Sequence, residues 1–308
     1  MTTNATSPNE ISERQNSAAM IKLLRARRRI YARVKAVQRA YFVVALVLPV
    51  ASLTTAAYAP EHLPKLSLFA LVTGAFDAML LDPWRKRQVK LAGKVQEEFD
   101  CKVLDLDWNK FIAGFHVVPE DVEEYGGAPL NPEGEQSLRN WYPADARELP
   151  LHLARLVCQR ANLWYDSRLR RTYRAALWLL TATYLAALVV YGHGMTLSAF
   201  ILTVLVPFGP FFTWVVREQH RQGDTITLVD RLFAEIEASL SQFAHAKSEE
   251  AARGRARELQ DAIFAHRANS PLVSDLVYRF KRSSLEGQMK VAARDFIERL
   301  TRSAGAPL

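Results

Sequence analysis

The stretch Ala175–Val216, AALWLLTATYLAALVVYGHGMTLSAFILTVLVPFGPFFTWVV, decides the fold of this chain. None of its 42 residues is Asp, Glu, Lys or Arg. A helix needs about 20 apolar residues to cross a hydrocarbon core of about 30 Å, so the stretch contains two crossings. Gly192 and Gly194 indicate a turn between them. Two buried helices of a soluble domain are the alternative, but such a domain does not need so long an uncharged run.

Two further apolar segments precede this stretch. Residues 40–60 contain no charged side chain, and residues 66–81 contain one, Asp77. The loop between the segments is short, so they are predicted to form an antiparallel pair. At about 1.5 Å per residue the second segment covers only about 24 Å, which makes it the weakest span. The sequence therefore predicts an all-α integral membrane protein with four transmembrane helices in two hairpins and helical cytoplasmic extensions.

The basic residues predict the orientation of these spans. The chain carries 40 Lys+Arg against 32 Asp+Glu, a net charge of +8. Eight Lys or Arg fall in residues 22–39, five in 85–94 and six in 155–174, whereas the loop at 60–65 has one and the turn at 192–195 has none. The positive-inside rule then places both termini in the cytoplasm.

The predicted spans divide the chain into five segments. These are a cytoplasmic tail and basic helix at 1–39, a transmembrane hairpin at 40–83, a cytoplasmic segment at 84–172, a second hairpin at 173–217 and a cytoplasmic helical region at 218–308. Residues 1–9 are predicted to be a polar tail, with a helix starting near residues 7–10. Residues 101–106 alternate weakly and predict one short strand, and residues 113–150 predict a loop with short helices.

The later helices carry two recognisable patterns. Residues 151–173 predict an amphipathic helix that continues into the third span. Apolar residues at 226, 229, 233, 236, 240 and 243 form a stripe that packs along one seam, either inside the chain or between copies. The sequence Asn269-Ser270-Pro271 predicts a break after a charged helix, with the last helix beginning at Pro271.

No enzyme motif is present in the sequence. It contains no GxxxxGK[ST], HExxH or GxSxG pattern, so we expect no catalytic activity. The histidines lack metal-ligand spacing, and Cys101 and Cys158 form no CxxC pair, so no metal, cofactor or disulfide is predicted. The acids Glu97, Glu98 and Asp100 could bind a cation, but a solvated helix end is the simpler interpretation.

The stretch QRANLWYDSRLRR, just before the third span, interleaves cations, aromatic rings and amides. Arginine forks bind phosphate and a Trp ring stacks on a base, so the stretch suits a nucleotide ligand. The candidate ligand-binding residues are Arg160, Asn162, Trp164, Arg168 and Arg171. Positions 160, 164 and 168 share one helical face. The alternative, favoured by position alone, is a juxtamembrane anchor for anionic headgroups.

Two features inside the spans could serve a pore. Thr73 and Asp77 lie one helical turn apart, and an ionisable residue within a span should face a bundle interior or water. They are the candidate pore-lining residues, although Asp77 could instead lie at a wet interface near Asp82. A further cluster, Pro207, Gly209 and Pro210, is predicted to interrupt the fourth span, as a gate or a kink.

Several short motifs resemble one known family. They are Ile11–Asn16, Gln96–Cys101, Trp141–Pro143, Cys158–Arg160, Trp164–Ser167, Leu169–Arg171, Leu259–Asp261, Arg267 and Pro271. Together with the order of the spans, they resemble the SMODS-associated four-transmembrane effectors of bacterial anti-phage operons. In such operons a nucleotidyltransferase makes a cyclic oligonucleotide that an effector senses before it disables the cell.

The resemblance implies a membrane-disrupting, pore-forming effector of the bacterial inner membrane, activated by a cyclic oligonucleotide. Its partners would be the lipid bilayer, the nucleotide signal and further copies of itself, with no nucleic-acid polymer. Several copies are expected because one four-span subunit offers little room for a lumen. The alternative is a membrane scaffold or sensor without a pore, which recruits a partner through its cytoplasmic helices.

Overall fold

Four long helical units dominate the computed structural model, which describes residues 9–244 and 248–305, with side chains through residue 300. Within those ranges every regular element is helical and there is no strand. The units long and apolar enough to cross a membrane are Ala18–Tyr58, Pro60–Leu104, Leu151–Gly192 and Leu197–Phe243. The predicted all-α membrane fold is confirmed. The predicted polar tail lies outside the described residues, apart from Asn9.

The α-helices of the described ranges follow one another with short connections. In chain order they are α1 (Ile11–Arg14), α2 (Ala18–Tyr58), α3 (Leu63–Phe76), α4 (Asp82–Leu104), α5 (Lys110–Ala113), α6 (Pro119–Gly126), α7 (Pro132–Gln136), α8 (Leu151–Gly192), α9 (Leu197–Phe200), α10 (Val206–Phe243), α11 (Glu249–Asn269) and α12 (Asp275–Gly305). Five-residue π-helical turns join α3 to α4 at Asp77–Leu81 and α9 to α10 at Ile201–Leu205. Each joined pair therefore forms one continuous rod.

Each hairpin closes over a short connection. A 3₁₀ turn at Pro60–His62 leads from α2 into α3. Between α8 and α9, Gly194 has φ +87°, a left-handed conformation that glycine adopts without a steric penalty. The Thr196 side chain then accepts a hydrogen bond from the backbone N–H of Ala199 and caps α9. The two predicted hairpins are present.

The proline cluster does not interrupt the fourth span. Pro207 and Pro210 lie in the first turns of α10, which continues to Phe243. A proline has no N–H to donate to the helix, and the wider π-helical turn directly before α10 accommodates that loss. The fourth span is therefore not interrupted at the prolines; instead, its backbone hydrogen-bond pattern changes locally from π-helical to α-helical.

Residues 101–106 complete a helix instead of forming the predicted strand. The 23-residue α4 continues to Leu104, and Asp105 follows in a left-handed conformation with φ 53°. Val103 and Leu104 are both fully buried. A six-residue alternation is too short to outweigh the packing of a long helix, so the strand prediction was wrong.

Two helix starts also differ from the prediction. The N-terminal helix is divided between α1 and α2, where the Gln15 side chain accepts a hydrogen bond of 2.7 Å from the backbone N–H of Tyr142. The break after Asn269 is confirmed, but the last helix begins at Asp275. Pro271 lies in the connection, where its carbonyl accepts a hydrogen bond from Arg170, 101 residues away.

The parts of the long helices outside the apolar spans pack around one hydrophobic core. The inward faces of α2, α4, α8, α10 and α11 meet there, and Leu24, Phe99 and Leu156 are fully buried in it. The connection between α4 and α8, predicted as a loop with short helices, wraps this core. Arg25 of α2 fixes it by donating to Glu135 at 2.8 Å and to the Gly126 carbonyl at 2.6 Å.

The apolar stripe of α10 belongs to the same core. Val229, Ile236 and Leu240 are at most 1% exposed, and they pack among core residues of the same chain. A seam that is filled inside one chain is not open to a second copy. Of the two predicted uses of this stripe, the structure supports the intramolecular one.

Candidate signal-receiving and coupling site

Arg160 of α8 is enclosed by the chain itself. Its guanidinium carbon lies 5.0 Å from the ring centroid of Phe233 and 4.5 Å from that of Phe296. Its Nε donates to the Glu237 carboxylate of α10. These cation–π contacts and the ion pair join α8 to α10 and α12. In this state Arg160 contributes to packing between helices.

Arg168 is the exposed part of the predicted face, and Trp164 beside it is half-buried against the hydrophobic cluster that includes Leu169 and Tyr173. They lie one turn apart on α8, with the Arg168 guanidinium carbon 6.0 Å from the Trp164 ring centroid. Arg168 is exposed and forms no ion pair within the described part of the chain. This pair could therefore stack on a base and bind a phosphate without first breaking an ion pair.

The other two predicted ligand residues have separate partners. The Asn162 side chain donates to the Tyr142 hydroxyl at 3.4 Å. The Arg171 guanidinium binds the Asp230 carboxylate of α10. The structure thus brings Trp164 and Arg168 together, whereas Arg160, Asn162 and Arg171 each contact a different part of the chain.

Glu97 and Asp100 of α4 form a buried carboxylate pair. Both are at most 1% exposed. Arg257 of α11 donates to Glu97 at 2.6 Å, and Arg267 donates to Asp100. Gln260 lies between the two arginines and donates to both carboxylates, at 2.7 and 3.0 Å. The prediction that these acids form a solvated helix end was wrong, because one face of the charged helix α11 covers them.

The electrostatics of this pair suit a structural role. Burial raises the pKa of Glu97, and the neighbouring charge of Asp100 acts in the same direction. Cys101 and Cys158 are free thiols, and burial raises the pKa of both well above the usual range. A buried thiol with a raised pKa is inert. Among the described residues, no group of three or more His, Cys, Asp and Glu could hold a metal ion.

A polar joint connects α8, α10 and the segment between α11 and α12. It consists of Asp166, Arg170, Gln222, His266, Ser270 and Pro271. The buried Arg170 is its centre: Nε donates to Asp166 at 2.7 Å, and Nη1 donates to Gln222 at 3.0 Å and to the Pro271 carbonyl at 2.8 Å. Because α8 continues directly into its apolar part after Arg174, the joint lies one turn before the third span.

His266 completes the joint as a neutral side chain. Its Nε2 lies 2.8 Å from an Asp166 oxygen, and its Nδ1 lies 2.9 Å from the Ser270 hydroxyl. A proton on Nε2 is then donated to Asp166 and leaves Nδ1 as an acceptor. The Ser270 hydroxyl can donate its single proton either to Nδ1 or to the His266 carbonyl, which lies 2.7 Å away. Burial lowers the pKa of His266, and the hydrogen bond with Asp166 opposes this effect only in part. Burial would raise the pKa of Asp166, but the charge of Arg170 and the contact with His266 hold it below its usual range.

Acidification is expected to destabilise the protein partly through His266. The unfolded side chain takes up a proton near its ordinary pKa of 6.5, whereas the folded one resists protonation to lower pH. Its contribution to stability is therefore present above pH 6.5 and is lost as the pH falls below it. Asp166 favours the charged ring, while Arg170 and Arg267 oppose it.

The measurement is the unfolding temperature in detergent between about pH 7.5 and pH 5.5. His266→Gln keeps an N–H donor for Asp166 and should flatten this dependence, whereas His220→Gln, at an exposed position of α10, should not. Equal pH dependence in wild-type protein and His266→Gln would contradict the assignment.

The carboxylate of Asp77 is enclosed at the start of the first π-helical turn. It is 2% exposed and accepts from Arg85 at 2.7 Å and from Arg217 of α10. In this state the carboxylate is therefore paired with two arginines and shielded from solvent. The Thr73 hydroxyl donates to the Phe69 carbonyl of its own helix at 2.8 Å.

The arginines around Asp77 are functional candidates that the sequence reasoning counted only for orientation. We call Asp77, Asp82, Arg85, Lys86, Arg217 and Arg221 the boundary cluster, since it lies where α4 and α10 leave their apolar parts. Asp82 pairs with Lys86 at 2.7 Å and with Arg221 at 3.3 Å. In the sequence, the residue that could have indicated these arginines is Asp77, because a buried charge within a span needs a partner of opposite charge.

The spans and the polar clusters define a four-span helical membrane protein with a helical domain outside the membrane. Residues 9–296 match the family described as the SMODS-associating 4TM effector domain. The chain belongs to this family, as its motifs predicted. It is also similar to a probable CBASS effector molecule of Bacillus cereus (strain VD146), with 22% identity over 285 residues that cover 90% of this chain and 95% of the relative. No solved structure matches the chain.

Proposed function

We propose that this protein is a CBASS effector of bacterial anti-phage defence that permeabilises the membrane when it binds a cyclic oligonucleotide. The family and the Bacillus cereus relative support the role as an effector. The expected site of the signal is the half-buried Trp164 together with the exposed Arg168, on the cytoplasmic part of α8. No catalytic step is required, since binding alone can change the state of a membrane protein.

The observation that carries this proposal is the continuity of α8. One unbroken helix of 42 residues contains both the Trp164–Arg168 pair and the apolar third span. At 1.5 Å per residue it is about 63 Å long, so a displacement at one end is transmitted as a rigid movement. A ligand that binds this pair better in the open state would shift the protein towards that state.

The open state is proposed to be a homo-oligomer. One subunit offers four spans, too few to surround a water-filled lumen, whereas several copies around an axis can do so. Asp77 is paired with Arg85 and Arg217 in the structure. For Thr73 and Asp77 to line a pore, this pairing would have to rearrange when the subunits assemble.

The proposed orientation has both termini in the cytoplasm of the bacterial inner membrane. It rests on the asymmetry of the basic residues around the spans. A reporter fused after Leu308 should report the cytoplasm, and one inserted at His193 should report the opposite side. Two reporters on the same side would contradict this orientation.

Signal binding is tested with purified protein in dye-loaded vesicles. Trp164→Ala combined with Arg168→Gln should raise the concentration of cyclic di- or trinucleotide needed for half-maximal dye release by about tenfold or more, since one stacked base contributes about 1–3 kcal/mol. The matched control is Arg231→Gln, at an exposed position of α10. Unchanged dye release by the double variant would show that the nucleotide binds at another site. An equal effect of Arg231→Gln would indicate loss of surface charge only.

The alternative, a scaffold that recruits a partner, is favoured by two exposed rings outside the membrane. Phe111 on α5 is 88% exposed and Phe115, just after it, is 89% exposed. Such rings are enriched in protein interfaces. Dye release by the purified protein alone would support the pore, whereas no release with any cyclic nucleotide would support the scaffold.

A further inference from the structure

A cleft opens beside the boundary cluster. Its walls come from α2, α4, α10 and residues 268–272, which are the end of α11 and the start of its connection to α12. The polar groups that line it include Gln38, Arg85, Lys86, Arg217 and Arg221. The cleft encloses about 450 Å³ including its open side. A water molecule in the liquid takes up about 30 Å³, so the cleft has room for several waters or one phosphate group.

The cations around this cleft exceed the carboxylates. Four cationic side chains of the boundary cluster share only two aspartates: Asp77 pairs with two of them and Asp82 with three. Glu218 also lines the cleft, and it accepts a hydrogen bond of 2.8 Å from Gln222. Even with Glu218 ionised, one positive charge remains in excess. The cluster therefore attracts an anion.

Arg85 provides a second, independent indication of a ligand. Its side chain is 10% exposed, and its Nη2 is bonded to Asp77. Its Nη1 is buried and has no hydrogen-bond partner within the described part of the chain. A buried guanidinium N–H without an acceptor is costly. Since Arg85 lines the cleft, a phosphate bound there would stabilise the folded protein if the side chain turns Nη1 towards it.

We propose that this cleft binds one phosphate group, carried by an anionic lipid headgroup or by a soluble phosphate ester. Planar guanidinium forks match phosphate oxygens, and three arginines line the cleft. The cleft lies at the ends of the second and fourth spans, the level at which basic pockets between helices bind headgroups. The proposal goes beyond the proposed function and does not depend on a pore or on nucleotide sensing.

The cleft and the polar joint share residues. Ser270 and Pro271 lie in the wall of the cleft, and both belong to the joint that Arg170 organises. A bound phosphate would therefore contact the connection that separates α11 from α12. Binding would fix this connection against the boundary ends of α4 and α10.

The test uses the full chain in phosphatidylcholine nanodiscs and measures its unfolding temperature. One arm adds phosphatidylglycerol in increasing proportion, and the other adds inorganic phosphate to discs without it. Arg85→Gln and Arg221→Gln should each raise the concentration for half-maximal stabilisation by about tenfold or more, because each removes a charged hydrogen-bond donor from the phosphate. Arg87→Gln, at an exposed position of the same helix that does not line the cleft, is the matched control.

Stabilisation by phosphatidylglycerol alone, weakened in both cleft variants and retained in the control, would identify a lipid headgroup. The same pattern with inorganic phosphate would identify a soluble ester. Arg221→Gln leaves the Asp77 pairs intact and so covers the case in which Arg85→Gln does not fold. No stabilisation of wild-type protein by either probe, or equal weakening in Arg87→Gln, would overturn the proposal.

Discussion

Asp100→Asn is expected to lower the free energy of unfolding by about 3–5 kcal/mol, the usual cost of removing one partner from a buried ion pair. Asp100 is fully buried and accepts hydrogen bonds from Arg267, Gln260 and Tyr142. The amide would leave the Arg267 guanidinium without its counter-charge. The measurement is the unfolding midpoint in denaturant, in a mild detergent.

Asp107→Asn is the matched control, just after the same helix. Asp107 pairs with Arg253 of α11 at 3.2 Å, and the two side chains are 83% and 46% exposed. Such pairs contribute about 0.2–1 kcal/mol, so the control should change the midpoint only slightly. Similar losses in the two variants would show that the Asp100–Arg267 contact does not hold α4 to α11.

The spans were predictable because the membrane imposes a local requirement. Residues between Arg174 and Arg217 must be apolar wherever the rest of the chain lies, so the run can be identified without tertiary information. The turn at Gly194 is equally local. The π-helical turns were not predictable in this way, since they adapt one helix to its neighbours.

The candidate site was predictable only where it depends on neighbouring positions of one helix. Trp164 and Arg168 meet because they are four residues apart. Arg160 is enclosed by Glu237 and Phe296, which are 77 and 136 positions away, and no local pattern indicates that contact. Asp77 likewise pairs with an arginine 140 positions along the chain.

The buried ion pairs formed by α11 were not predicted, for a similar reason. Its sequence indicates only a charged helix, whereas Arg257 and Arg267 lie on the face that covers the acids of α4. Charge counts describe a helix as a whole, but pairing depends on which face meets which neighbour. A buried ionic layer of this kind is therefore visible only in the folded chain.

Arg170→Gln is expected to lower the free energy of unfolding by about 3 kcal/mol and to disconnect the third span from the helices outside the membrane. The arginine side chain is 8% exposed and donates to Asp166, Gln222 and the Pro271 carbonyl. A glutamine cannot reach three acceptors on three segments. The unfolding midpoint reports the stability, and dye release in vesicles reports the coupling.

Arg171→Gln separates this role from simple loss of charge. Arg171 follows Arg170 directly, but it pairs with Asp230 at the surface, where both side chains are about half exposed. An exposed pair contributes about 0.2–1 kcal/mol, so the midpoint should barely move. If the joint transmits the signal, Arg170→Gln should still bind the cyclic nucleotide but release little dye, while Arg171→Gln should release it normally. Normal release by Arg170→Gln would show that α8 transmits the signal without the joint, because its own helix continues unbroken into the span.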